Sequence, residues 1–123
     1  MRDTIDEYSE VEIHNALYHD KFIRGLWIDE LMEVEELFTK HSNSNLKILN
    51  IPRIWAPIIK KLIKELVKID PDVCITQIKE DTGRLYVHIK PMLHENQARL
   101  ALMGAAYAVN TVTLIQLQTV SNR

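Results

Sequence analysis

The chain contains few of the residues that crosslink a fold or interrupt its helices and strands. Its 123 residues include one cysteine, three glycines and four prolines. A single cysteine excludes an internal disulfide, and so little glycine and proline argues against a collagen-like or low-complexity chain. The 46% hydrophobic and 26% charged residues predict one small globular domain that folds without disulfides or metals. An unpaired thiol agrees with a reducing compartment, so we expect the protein in the cytoplasm of a host cell.

Charge is absent from the C-terminal end, because residues 100–122 contain no Asp, Glu, Lys or Arg. A run of that length is long enough for a membrane helix. However, Asn110, Thr113 and Gln116 are costly in lipid unless they are paired, so we expect no membrane span. An uncharged segment with many small residues instead favours self-association. We expect a homo-oligomer through residues 98–117, with a two-fold dimer as the commonest form.

The charges that are present divide the chain into two parts. Residues 1–46 hold four Lys or Arg against eleven Asp or Glu, whereas residues 47–99 hold ten against six. We treat 1–46 as an acidic helical part and 47–123 as a helix–hairpin–helix part of the same domain. The two parts face each other or face partners, or they carry ordinary solvated helix faces.

Hydrophobic spacing predicts four helices, over residues 4–19, 26–40, 54–69 and 94 onward. Thr4 and Glu7 form a capping-box pattern at the start of the first helix. Pro57 suits the first turn of the third helix, and Pro71 ends it. Residues 46–49 are expected to be a short extended piece between the second and third helices.

The clearest local signal is a β-hairpin at residues 73–90. Its first half is rich in β-branched residues, and Gly83 supplies a turn position that tolerates a positive φ. The second half alternates, with one face formed by Leu85, Val87 and Ile89 and the other by Tyr86 and His88. The sequence therefore predicts an α+β fold, a small single domain with helices packed on a β-hairpin or small antiparallel sheet.

Residues 110–119 are compatible with either a strand or a continuation of the last helix. The stretch from Thr111 to Leu117 contains several β-branched residues, which favour strands. A two-stranded hairpin is marginally stable alone. For that reason we favour a third strand that joins the hairpin.

The middle of the chain carries a recognisable pattern over roughly residues 53–90. It consists of Trp55-Ala56-Pro57-Ile58-Ile59, Leu62, Glu65-Leu66, then Thr76-Gln77-Ile78-Lys79-Glu80 and Gly83-Arg84-Leu85-Tyr86. This pattern resembles a group of small uncharacterised phage and prophage proteins. Those proteins have a tryptophan-led helix, a strand ending in Gln-Val-Lys-Glu-Lys-Phe-Gly and a return strand beginning Leu-Arg-Phe. Here Asp81-Thr82 replaces the Lys-Phe pair, and the family's cysteine-rich tail is absent. The resemblance implies a viral or mobile-element accessory protein, and it implies no reaction or metal.

Motifs for known chemistry are missing from the sequence. Gly25, Gly83 and Gly104 are too far apart to form a phosphate-binding loop or a dinucleotide fingerprint. Cys74 and His88 could meet across the hairpin, but without a second cysteine we expect no metal site and no cofactor. The same pair is a conceivable nucleophile, although a lone cysteine in a strand is more often a small buried side chain.

Two groups of polar residues remain as candidate sites. The first would be held around the rigid hairpin as binding residues: Gln77, Lys79, Glu80, Arg84, Tyr86 and His88. The second is a basic stripe on the third helix that would contact phosphates, formed by Lys60, Lys61, Lys64 and Lys68. No aromatic residue lies among these lysines to stack a base, and the net charge is −2. Lysines that simply solvate an amphipathic helix are the alternative interpretation.

Together these patterns predict a non-enzymatic binding protein of a phage or mobile element. It would act on a host or viral protein, or sequester a small ligand, and counter-defence is one such role. A nucleic-acid-binding accessory protein that uses the Lys60–Lys68 stripe is the alternative. A small hydrolase or nuclease that uses His88 and Glu80 is the third hypothesis.

Overall fold

The structure, a computed structural model, describes residues 9–18, 28–42 and 50–121, and side chains over 9–18, 31–42 and 50–118. Within these ranges the elements follow in the order α1 (Glu10–Tyr18), α2 (Ile28–Lys40), α3 (Ala56–Ile69), β1 (Ile75–Asp81), β2 (Arg84–Ile89) and α4 (Glu95–Ser121). A small α+β fold with helices packed on a β-hairpin is therefore confirmed. The predicted capping box at Thr4 and Glu7 and the extended piece at 46–49 lie outside the described residues.

Helix α1 begins directly after Ser9, whose hydroxyl accepts a hydrogen bond from the backbone N–H of Glu12 at 3.2 Å. A serine at this position satisfies one of the backbone donors that a helix start leaves unpaired. The inner face of α1 is buried through Ile13, Ala16 and Leu17. The first predicted helix is confirmed over Glu10–Tyr18, whereas Ser9, which was expected inside it, precedes the helix.

Helix α3 is amphipathic, as its sequence spacing predicts. Its buried positions recur at steps of three and four: Ala56, Ile59, Leu62, Ile63 and Leu66. Pro57 lies in the first turn, where the missing N–H has no partner to lose. The helix ends at Ile69. The next residue, Asp70, has an extended backbone, and its carboxylate accepts a hydrogen bond from the Asp72 N–H at 2.9 Å. The predicted end at residue 69 is confirmed.

The hairpin pairs β1 and β2 antiparallel around a two-residue turn at Thr82 and Gly83. Both turn residues have positive φ, 53° for Thr82 and 81° for Gly83. Such turns match the twist of the flanking strands. The glycine suits this geometry, whereas a β-branched threonine in the left-handed region is strained. A register shift between Ile75 and Gln77 marks an irregularity at the start of β1.

The expected third strand over residues 110–119 is wrong. Helix α4 runs unbroken from Glu95 to Ser121, and among the described residues the sheet contains β1 and β2 alone. The physical reason is burial on one helical face, formed by Ala98, Ala105, Val109, Thr113, Gln116 and Leu117. Packing along that face outweighs the strand preference of the β-branched residues. Helix α4 contacts β2 and so stabilises the hairpin, which has no third strand among the described residues.

Trp55 occupies the centre of the core. It ends a short 3₁₀ turn before α3 and is completely buried. Its indole Nε1–H donates a hydrogen bond to the hydroxyl of Thr113 on α4 at 3.1 Å. Since Thr113 is also completely buried, the bond joins the start of α3 to the second half of α4 without access to water.

Candidate binding surfaces

The strand register decides which hairpin side chains lie together. Residues directly opposite each other in a sheet project from the same face. The opposed polar pairs are Gln77 with His88, Lys79 with Tyr86, and Asp81 with Arg84. These six residues share one face, which we call the outer hairpin face. Five of the predicted hairpin residues are thus brought together.

The centre of the outer hairpin face is an ordered cluster of three side chains. The Tyr86 hydroxyl lies 2.7 Å from His88 Nε2, within hydrogen-bond distance, and the centroids of the two rings are 4.8 Å apart. Lys79 Nζ lies 5.0 Å from the centroid of the Tyr86 ring, which is a cation–π distance. Tyr86 therefore contacts two neighbouring side chains while 43% of it stays exposed.

Glu80 is the predicted binding residue that the structure places elsewhere. It pairs with Leu85 and so lies on the inner face, where its carboxylate accepts a hydrogen bond from the Gly83 N–H at 2.8 Å. Burial raises the pKa of Tyr18, and the negative charge of Glu80 adds to that effect. Because Glu80 and His88 project from opposite faces of the hairpin, the geometry does not assemble them as an acid–base pair.

Asp81 belongs to the outer hairpin face although sequence reasoning did not single it out. It lies opposite Arg84, and its carboxylate accepts a hydrogen bond from the Thr82 hydroxyl at 3.1 Å. The signal was present in the sequence, since Asp81 is two residues after Lys79 and alternate strand residues share a face. The outer hairpin face therefore combines two cations, Lys79 and Arg84, with the carboxylate of Asp81.

Cys74 is half-buried and precedes β1. Its backbone carbonyl accepts a hydrogen bond from the Lys90 N–H at 2.9 Å, so Lys90 lies across from it. The His88 ring is engaged with Tyr86, and the structure does not pair it with the thiol. Across the described ranges, no three His, Cys, Asp or Glu side chains come together in a way that could hold a metal ion.

The lysine stripe on α3 lies beside carboxylates. Lys60 forms an ion pair with Glu33 on α2, and the Lys61 ammonium is 4.0 Å from the carboxylate of Glu65 on the same helix. The contact with Lys60 lowers the pKa of Glu33. The acidic and basic parts of the chain thus meet at α2 and α3. The remaining lysines of the stripe are exposed: Lys64 and Lys68. Phosphate binding by this stripe stays a prediction.

The outer side of α4 is an exposed surface of a different kind. Leu100, Met103 and Tyr107 are 69%, 61% and 76% exposed, and their spacing of three and four aligns them along one side of the helix. By length and composition, the segment Glu95–Gln118 is apolar enough to cross a membrane. The core helix of a globular domain meets the same criteria, and the opposite side of α4 is buried in the core.

Comparison with known proteins gives no match, either to a family model, to a curated sequence or to a solved structure.

Proposed function

We propose that the protein is a non-enzymatic binding protein whose outer hairpin face recognises an acidic surface of a partner protein. The observation that carries this proposal is the cluster of Lys79, Tyr86 and His88, in which the tyrosine contacts both of the other side chains and is still exposed. Tyrosine and arginine are enriched among the residues that dominate protein interfaces. Both are present on this face.

The preorganisation of the cluster favours binding. An exposed side chain that must be ordered on association costs about 0.5–1.5 kcal/mol. Tyr86 already makes a hydrogen-bond contact at 2.7 Å and a cation–π contact at 5.0 Å, which reduces this cost. The outer hairpin face is largely exposed to solvent, whereas small-molecule sites are concave and bury most of their ligand. A protein surface is therefore the better match than a small ligand.

The charges on the outer hairpin face indicate which kind of partner surface it would bind. Lys79 and Arg84 lie on it together with one carboxylate, that of Asp81. Complementary charge across an interface guides association and excludes wrong partners. An acidic patch on the partner that surrounds a pocket for the Tyr86 ring fits this arrangement.

The separation of the candidate catalytic residues supports a non-enzymatic role. General acid–base catalysis needs groups within hydrogen-bond reach of the same substrate atoms. Glu80 and His88 project from opposite faces of the hairpin, and Cys74 lies across from Lys90. The phage or mobile-element setting is part of the proposal and is supported by the resemblance over residues 53–90.

The test compares partner capture by wild-type protein and by variants of the outer hairpin face. Tyr86→Ala and Lys79→Glu remove the aromatic contact and reverse one charge. Lys40→Ala, at the exposed end of α2, is the control that removes a cation elsewhere. We expect one protein from host-cell extract to bind wild type and Lys40→Ala, and to be lost from both hairpin variants.

The captured protein is then purified and titrated against the same three variants. Loss of affinity for Tyr86→Ala and Lys79→Glu alone, with unchanged helix content by circular dichroism, supports the proposal. Equal binding to all variants contradicts the assignment of the face. Turnover of a nucleotide, peptide or sugar by the purified protein contradicts the non-enzymatic role.

A further inference from the structure

The outer side of α4 is an exposed apolar surface that the hairpin proposal leaves unused. Its ridge of Leu100, Met103 and Tyr107 is at least 61% exposed at every position. Contiguous exposed apolar surface of this kind marks an interaction site more often than an ordinary monomer surface. Residues 100–122 also carry no charge.

A groove runs beside this ridge, between α3 and α4. It has a volume of about 430 Å³, and its lining includes Pro57, Ile58, Ala101, Gly104 and Ala108. A side chain built on Gly104 would meet no atom within 4 Å. The surface thus presents a ridge of large side chains next to a groove lined by small ones.

We propose that a second copy of this chain docks on this surface, related by a two-fold axis close to Gly104 so that the two α4 helices run antiparallel. In that arrangement Leu100 of one copy faces Ala108 of the other, and Tyr107 faces Ala101. The large residues of each ridge then fill the groove of the opposite copy, as ridges fill grooves in helix packing.

Charge complementarity favours a second copy as the occupant. A two-fold contact pairs a patch with the same patch of the second copy, so a face that carries charge of one sign would repel itself. Here the ridge is uncharged, and the rim of the groove carries one residue of each sign, Lys61 and Glu65. The axis near Gly104 lies at the level of residues 61–64 of α3, because Trp55 meets Thr113 and the groove sets residues 57–65 of α3 against 100–108 of α4. Lys61 of one copy then comes within side-chain reach of Glu65 of the other.

The available area fits a weak dimer. Residues 96–118 of α4 span about 34 Å, so the exposed side of this helix, about 10 Å wide, offers about 340 Å² per copy, to which the rim of the groove adds. Specific interfaces begin at about 600 Å² per partner. We therefore expect a concentration-dependent dimer. This surface is distinct from the outer hairpin face, so either proposal can fail while the other stands.

Sedimentation equilibrium of the full chain over a range of concentrations tests the dimer. We expect the mass to rise from 14.3 kDa toward twice that value. Tyr107→Glu puts a charge on the ridge and should shift the dissociation constant at least tenfold, to weaker binding. Val11→Glu is the matched control, because Val11 on α1 is 68% exposed and lies outside the surface.

Charge reversals at the two rim residues, Lys61 and Glu65, test the two-fold geometry. Lys61→Glu and Glu65→Lys should each weaken the homodimer, and mixing the two variants should restore dimerisation, although the contact between these residues within α3 stays broken in both chains. A wild-type protein that stays monomeric overturns the proposal, as does equal dimerisation of Tyr107→Glu and Val11→Glu. Monomeric protein that binds phosphatidylcholine vesicles through Tyr107 would identify lipid as the occupant and would also overturn it.

Discussion

The hydrogen bond between Trp55 and Thr113 provides the sharpest stability prediction. Thr113→Val keeps the shape of the side chain and removes the acceptor for the indole N–H, which has no access to water. A buried donor left without a partner costs about 1–3 kcal/mol. At about 2.1 cal/mol/K of unfolding entropy per residue, this corresponds to a loss of about 4–12 °C in Tm for a chain of this length.

The assay is chemical denaturation with circular dichroism, and the same helix supplies the control. Thr111→Val makes the same chemical change at an exposed position of α4, where we expect an effect within about 0.5 kcal/mol. In a Trp55→Phe background the donor is already gone, so Thr113→Val should then cost almost nothing. An equal cost in both backgrounds, or equal costs at 111 and 113, would refute the role of the bond.

Two further predictions concern Tyr18 at the end of α1 and Thr82 in the hairpin turn. The pKa of Tyr18 is raised above its ordinary value of 10.0, mainly by burial, so its contribution to stability is complete below pH 10 and is lost as the pH rises through the folded-state pKa. Tyr18→Phe should therefore flatten the alkaline decline of the unfolding free energy, and an unchanged decline contradicts this. Thr82 is strained at a φ of 53°, and Thr82→Asn should raise the unfolding free energy by about 1 kcal/mol. The matched change Thr76→Asn on β1 should give no such gain, and equal effects of the two changes would exclude strain relief.

Much of the fold could be predicted because local and tertiary preferences agree there. In α3 the apolar spacing, the early proline and the final Pro71 all indicate the same helix, which the structure confirms. In β2 strict alternation predicts the two faces, with Tyr86 and His88 on one and Leu85 on the other. The membership of the outer hairpin face follows from the same period of two.

The predictions that fail concern segments in which the intrinsic preference of the residues and their packing in the fold favour different structures. Residues such as Val112 and Thr113 favour strands, yet their positions continue the buried face of α4 from Ala105 and Val109. That face becomes visible in the sequence only when its spacing is followed across the whole helix. The register shift between Ile75 and Gln77 has no local signal, because it depends on which residues of β1 the core accepts.

The most direct measurement of the proposed function is site-specific crosslinking from the outer hairpin face. A photoreactive phenylalanine analogue placed at Tyr86 would retain an aromatic ring at the centre of the cluster, and the same analogue at Lys40 would report chance encounters. We expect a single crosslinked partner protein from position 86 and none from position 40, with the crosslink lost when Lys79→Glu is added. Crosslinking from position 40 alone, or to the same proteins from both positions, would contradict recognition through this face.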